Sequence, residues 1–165
     1  MISSCSAKDA ITLIPMTPDM YHRYFMEYEN DPDLYLDKSK FVSYEYSEEK
    51  VEKYIQRQKD LNRIPLAIMN GEEIVGEIII KDIETHKCAT LSISLKNRKY
   101  KDCGFGTQAE KIAIKYVFNK LDIPTLYADT IQSNSRSQHV LEKVGFQFVR
   151  EDEKFKYYRL DKNGI

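Results

Sequence analysis

The segment Arg98-Lys99-Tyr100-Lys101-Asp102-Cys103-Gly104-Phe105-Gly106-Thr107 carries the densest chemistry of this 165-residue chain. It falls between a predicted strand and a predicted helix. Backbone amide hydrogens at such a junction point outward, and the start of the helix adds partial positive charge. Together they suit phosphate oxygens. Gly104 and Gly106 remove the Cβ atoms that would hold a ligand off the main chain. Arg98, Lys99 and Lys101 offer charge-assisted contacts. A glycine-rich turn with a solvated run of charge fits the same residues, so the segment by itself leaves both readings open.

Spacing narrows the class of phosphate ligand. Gly104-Phe-Gly106-Thr-Gln-Ala109 satisfies the dinucleotide pattern G-x-G-x-x-G/A, and Asp129 stands about twenty residues further on, where a ribose-binding acid belongs. That fold places the loop after its first parallel strand with many strand-helix units behind it. Here only about sixty residues follow, and the strands before the loop look antiparallel. A nucleoside-triphosphate loop is excluded, because no Gly-Lys-Ser/Thr follows.

The elements that must position this loop can be read along the chain. Ala10 to Ile14 predicts a strand. Thr17-Pro18-Asp19 predicts a helix start, with a capping hydroxyl, a proline that loses no hydrogen bond in the first turn and an acid at the positive end of the dipole. That helix runs to about Tyr28, and Asn30-Asp31-Pro32-Asp33 breaks it. Leu34 to Tyr46 has no clean period and reads as a loop or short helix covering something. Ser47 caps a second helix to about Lys59, with Val51, Tyr54 and Ile55 on one face. Leu66 to Met69 and Ile74 to Ile83 form a hairpin about Asn70-Gly71. Ala89 to Leu95 alternates as a further strand.

Gly104 opens a third helix to about Asn119, with Ala109, Ile112, Ala113, Tyr116 and Val117 as its apolar stripe. Thr125 to Ile131 is a strand. Ser135 to Val144 is a helix ended by Gly145 as a left-handed cap. Phe146 to Val149 and Phe155 to Leu160 close the chain as strands. The order β-α-α-β-β-β-α-β-α-β-β, with no linker or repeat, predicts a single domain over residues 1–165. Its class is α+β, a mixed and mostly antiparallel sheet with helices on its faces.

Composition sets the outer bounds. Lys plus Arg is 25 against 26 for Asp plus Glu, so nothing advertises nucleic acid or an anionic membrane. Three cysteines, Cys5, Cys88 and Cys103, form no CxxC and speak against a disulfide scaffold or a cysteine-rich zinc site. Cys88 reads as a core residue and Cys5 as a tail residue. His22, His86 and His139 are scattered, so no metal is expected. The longest apolar runs, such as Ile78-Ile79-Ile80, are far too short to span a bilayer. Met1 to Ala10 lacks a basic start and apolar stretch, which makes a secretory signal unexpected and a cytoplasmic location the default.

Three motifs in order resemble the GNAT N-acetyltransferases, and among them the ribosomal-protein alanine/serine acetyltransferase-like branch. Tyr100-Lys101-Asp102-Cys103-Gly104-Phe105-Gly106-Thr107 is similar to the family's pyrophosphate loop, R/Q-x-x-G-x-G/A. Asn134-Ser135-Arg136-Ser137 follows the next strand, as the family's N-x-x-S/A does. Leu141-Glu142-Lys143-Val144-Gly145-Phe146 resembles its closing motif. Two departures stand out. Lys101 replaces the usual Arg or Gln and loses the planar fork. Leu141 stands where many relatives carry a tyrosine that protonates the leaving thiolate.

The resemblance implies a GNAT-like sheet of about seven strands with a splayed parallel pair, Leu91–Lys96 and Thr125–Ile131. It implies acetyl-coenzyme A (acetyl-CoA) as co-substrate, without metal, its pantetheine arm lying in the gap. Lys101, Asp102, Cys103, Gly104, Phe105, Gly106 and Thr107 would cradle the pyrophosphate. Leu95 and Lys96 would line the arm, the Leu95 backbone amide would polarise the thioester carbonyl, and Asn134 would hold pantetheine or splayed backbone. Ser137 is the substitute candidate for the missing acid, though a serine in a first turn also commonly caps a helix.

The implied reaction is direct attack by a primary amine, on a protein N-terminus or a small molecule, through a tetrahedral intermediate. Glu29, Glu77, His86, Ser92 and Asp129 are the candidate bases, with a water relay beside them. Glu29 to Tyr46 would form the acceptor pocket, its acids either drawing a cationic amine or simply facing solvent. A non-catalytic acyl-CoA-binding module with the same fold is the alternative, and a dinucleotide-dependent oxidoreductase a remote third. Similar proteins are often dimers, which leaves a homodimer open.

Overall fold

A computed structural model of the chain describes residues 10–164. Cys5 and residues 1–9 of the stretch read for a signal lie outside them. Each predicted element is present, in the predicted order. The strands are β1 (Thr12–Pro15), β2 (Ile64–Asn70), β3 (Glu73–Glu84), β4 (Cys88–Leu95), β5 (Thr125–Ile131), β6 (Gln147–Glu151) and β7 (Phe155–Asp161). The helices are α1 (Pro18–Met26), α2 (Glu48–Asp60), α3 (Phe105–Asn119) and α4 (Ser135–Lys143). Among the described residues no helix is long and apolar enough to cross a membrane, and no cluster of ligating side chains could hold a metal ion.

Local chemistry explains the helix starts. The Met20 amide donates to Thr17 Oγ1 at 3.3 Å, and the Lys50 amide donates to Ser47 Oγ at 3.1 Å. Such caps are worth about 1 kcal/mol each. The hairpin differs from its prediction. Asn70 pairs with Glu73, so Gly71 and Glu72 make the turn, with Gly71 at φ 64°. A glycine at the first of two loop positions takes the positive φ that the primed hairpin turns require there. The ambiguous stretch after α1 forms two 3-10 turns, Pro32–Leu34 and Lys38–Lys40. Asn30 braces it by donating to the Val42 carbonyl and accepting from the Tyr44 amide.

The sheet order is β1-β2-β3-β4-β5-β7-β6. All neighbours are antiparallel except β4 and β5. One parallel pair cannot build a dinucleotide fold, and that reading is set aside. Alternation along β2 and β3 divides the core between two faces. Ile68, Val75, Ile78 and Ile80 pack with α3 and with Leu141 of α4. Ala67, Met69 and Ile74 pack with Tyr21, Tyr24 and Phe25 of α1 and Val51 and Ile55 of α2. Two sequence readings need correction. Ile112 is exposed, and the buried stripe of α3 runs through Ala109, Glu110, Ala113, Ile114 and Val117. Cys88 is half-buried at a strand end beside Glu84 rather than in the core, because it opens β4 just after the Glu84–Lys87 turn.

Candidate active site

β4 and β5 hold each other through three register pairs, Cys88–Thr125, Ala89–Leu126 and Thr90–Tyr127. Beyond them the strands part. Leu91 to Leu95 remains paired with β3, and Ala128 to Ile131 with β7, so each strand keeps one ladder while its other edge faces the gap. The splay therefore starts at Leu91 and Ala128, and Thr125 to Tyr127 belong to the closed part. Two cavities occupy the opening. One, of about 140 Å³, reaches from Tyr28 and Glu29 past Leu95 to Gly106, Asn134 and Ser137. The other, of about 170 Å³, adds Ser92, Asp129 and Leu141, and shares Glu110, Asn134 and Ser137 with the first.

The glycine loop delivers α3 to this opening. Gly104 is the residue before the first helical turn, in the left-handed conformation at φ 80°, and no side chain caps the free amides. Its glycine is required by that angle, since a Cβ there would meet nothing nearer than Gln108 Nε2 at 3.8 Å. A Cβ on Gly106 would stand 3.7 Å from Ile93 Cδ1, at the wall of the first cavity. The Phe105 ring is buried in the core, so that residue can present only main chain to a ligand. Asp102 turns toward α4, accepting from Arg136 Nε at 2.8 Å. Cys103 and Thr107 are half-buried parts of the loop and first turn.

Lys101 points to the other side. Its ammonium pairs with the buried Asp31 carboxylate on the segment after α1. Burial pushes the Asp31 carboxyl up, but the bond from Lys101, the Asp33 amide and the nearby Arg98 guanidinium hold it below the usual range. Lys96 is also occupied. Its ammonium is buried against Glu27 at 2.5 Å, its amide donates to the Val75 carbonyl at 2.8 Å, and its carbonyl accepts from the Glu29 amide at 3.0 Å. That last bond ties the end of β4 to the segment that walls the cavity.

At the start of α4, Asn134 accepts from the Ser137 amide at 3.1 Å. Both residues line the two cavities, so the Asn134 side chain serves as a helix cap at the border of the gap. The candidate bases are dispersed. Glu29 lines the first cavity, and Ser92 and Asp129 line the second. His86 sits in the turn before β4, 3.4 Å from Asp122 and away from both cavities. Glu77 is buried on the α1–α2 face, where Tyr54 donates to it at 2.6 Å. Burial raises its carboxyl, partly countered by the hydrogen bond from Tyr54.

Sequence reasoning missed Glu110. It is 2% exposed, its Oε2 has no partner, and it lines both cavities. The signal was present: Glu110 falls three and four residues before Ala113 and Ile114, in phase with the buried stripe.

Residues 10–147 match the model described as "Acetyltransferase (GNAT) domain", and the chain belongs to the GNAT acetyltransferase family. A search of the curated proteins finds no match. Solved structures share the fold. Campylobacter jejuni N-acetyltransferase PseH in complex with acetyl coenzyme A is 21% identical, with a TM-score of 0.63 over 92% of this chain and 99% of that one. Spermidine N-acetyltransferase from Vibrio cholerae in complex with CoA and spermine is 17% identical, with a TM-score of 0.70 over 94% and 97%. A GNAT-family acetyltransferase from Bacillus anthracis is 16% identical, with a TM-score of 0.70 over 94% and 96%.

Proposed function

We propose that the protein transfers an acetyl group from acetyl-CoA to a primary amine. The observation that carries this reading is the gap that starts after Thr90 and Tyr127 and opens beside the uncapped start of α3. The gap-facing main-chain edge of Leu91 to Leu95, which has no partner strand, suits the amides of a pantetheine arm, and the free amides from Gly104 onward suit a diphosphate. The loop then acts through main chain at Asp102 to Thr107, because Lys101 is engaged with Asp31.

In this reading the Leu95 amide polarises the thioester carbonyl, Asn134 steadies the border of the gap, and Ser137 faces the leaving sulfur. The amine attacks directly through a tetrahedral intermediate, giving its proton to water or to a cavity carboxylate. Glu29 lines the acceptor side and, among the described residues, hydrogen-bonds through its main chain, which favours a cationic amine. The V. cholerae relative described with spermine supports a small polyamine-like acceptor as the first class to try.

The test is a screen of amines and N-terminal peptides for thiol release from acetyl-CoA, beside calorimetry of coenzyme A binding. Gly104→Asp places a side chain and a negative charge in the cradle and abolishes binding; unchanged affinity refutes the loop assignment. The leucine at 141 keeps a second reading in view, a coenzyme A-binding module without turnover. Coenzyme A binding with no thiol release under any amine would establish that one instead.

A further inference from the structure

Glu110 is placed where a structural residue would be apolar. It stands in the second turn of α3 among Ala109, Ala113 and Ile114, with Oε2 buried and unpartnered at the wall of both cavities. Leu141, at the position where relatives use a tyrosine, lines the second cavity with it. A carboxyl so placed costs folding free energy, and such costs concentrate at functional sites. Two other carboxyls are buried: Asp31 is paired with Lys101, and Glu77, whose Oε2 is also unpartnered, accepts from Tyr54 through Oε1 and lines neither cavity.

Resting on the acetyl-transfer reading above, we propose that Glu110 is the general acid that protonates the coenzyme A thiolate as it leaves, taking over the role of the tyrosine absent at Leu141. As the C–S bond of the tetrahedral adduct breaks, its electron pair goes to sulfur. The Glu110 O–H proton goes to that sulfur, and the carboxylate regains a proton from solvent before the next cycle. Ser137 then hydrogen-bonds the sulfur without being the source of the proton. Burial pushes Glu110 up to about 8, close to an ordinary thiol, so the group is neutral at pH 7 and matched to its task. The charged groups facing these cavities are Glu29, Asp31, Lys101 and Arg136 in one and Asp129 in the other. Burial alone produces the shift.

The experiment compares the wild type with Glu110→Gln and Glu110→Asp in steady-state thiol release, coenzyme A calorimetry and the ultraviolet titration of the bound coenzyme A thiol. Wild-type kcat falls as pH rises through about 8. Glu110→Gln removes that fall and lowers kcat about 10²-fold or more, with coenzyme A affinity unchanged, and Glu110→Asp restores part of the rate. The bound thiol titrates differently in the wild type and Glu110→Gln, a readout that needs no acceptor. Unchanged rate, pH profile or thiol titration in a folded Glu110→Gln protein overturns the role of Glu110 and leaves acetyl transfer standing. Failure of the wild type to bind coenzyme A overturns both.

Discussion

At the scale of single residues, Glu110 and Asp31 make opposite contributions to stability against pH. A carboxyl is near 4.3 in an unfolded chain, and burial raises Glu110 to about 8. Between those values the unfolded state releases its proton first, so stability falls as pH rises. Glu110→Gln removes this dependence. The variant gains up to roughly 3 kcal/mol at pH 7 relative to its difference from wild type at pH 4. Urea denaturation at the two pH values checks this, and an equal difference at both would mean the carboxyl is ionised in the fold.

Asp31 has its folded value lowered, so its contribution is full above the unfolded pKa and is lost as pH falls through the folded one. Asp31→Asn leaves Lys101, 13% exposed, without its counter-charge and destabilises the protein at pH 7 by up to about 3–5 kcal/mol, measured by the same titration. The Asp31 role was not legible in the sequence: Lys101 reads as a phosphate ligand until the chain after α1 is seen to return to it. Glu110 was passed over because the expected stripe ran through Ile112 and Tyr116, where the structure buries Glu110 and Ile114.

At the scale of elements, caps and breakers were legible because they are local. Thr17, Ser47, Pro124 and Gly145 bound their elements as their chemistry requires. The turn after β2 was misplaced by one residue, since Asn and Gly both tolerate turn conformations and only the cross-strand register decides. Gly76 shows what register demands. A Cβ there would lie 2.6 Å from the Ser94 carbonyl oxygen, a main-chain atom that cannot move aside. Gly76→Ala therefore forces β3 from β4 beside the gap and costs about 1–3 kcal/mol, read from the shift in the urea midpoint. A midpoint equal to that of the wild type would show that the two strands separate there freely.

At the scale of the whole molecule, the order of elements and the mixed sheet followed from hydrophobic period and chain order. The extent of β4–β5 pairing did not, because both strands continue in pattern after they separate. Only three pairs join the β1–β4 half of the sheet to the β5–β7 half. Acetyl-CoA slows hydrogen exchange at Leu91 to Leu95 and Ala128 to Ile131 more than elsewhere, as mass spectrometry of peptides from the two halves will show. Protection confined to the outer strands would contradict the site.

Strand-pairing groups on a protein usually sit at an outer rim, where any passing chain can adhere and build aggregates. Here Leu91 to Leu95 offers them from the middle of the sheet. Residues of α3 and α4 roof one side, and Tyr28 to Leu34 roof the other. A second β-strand would have to displace those roofs to pair there, so the pairing groups of the gap are shielded from other copies of the chain.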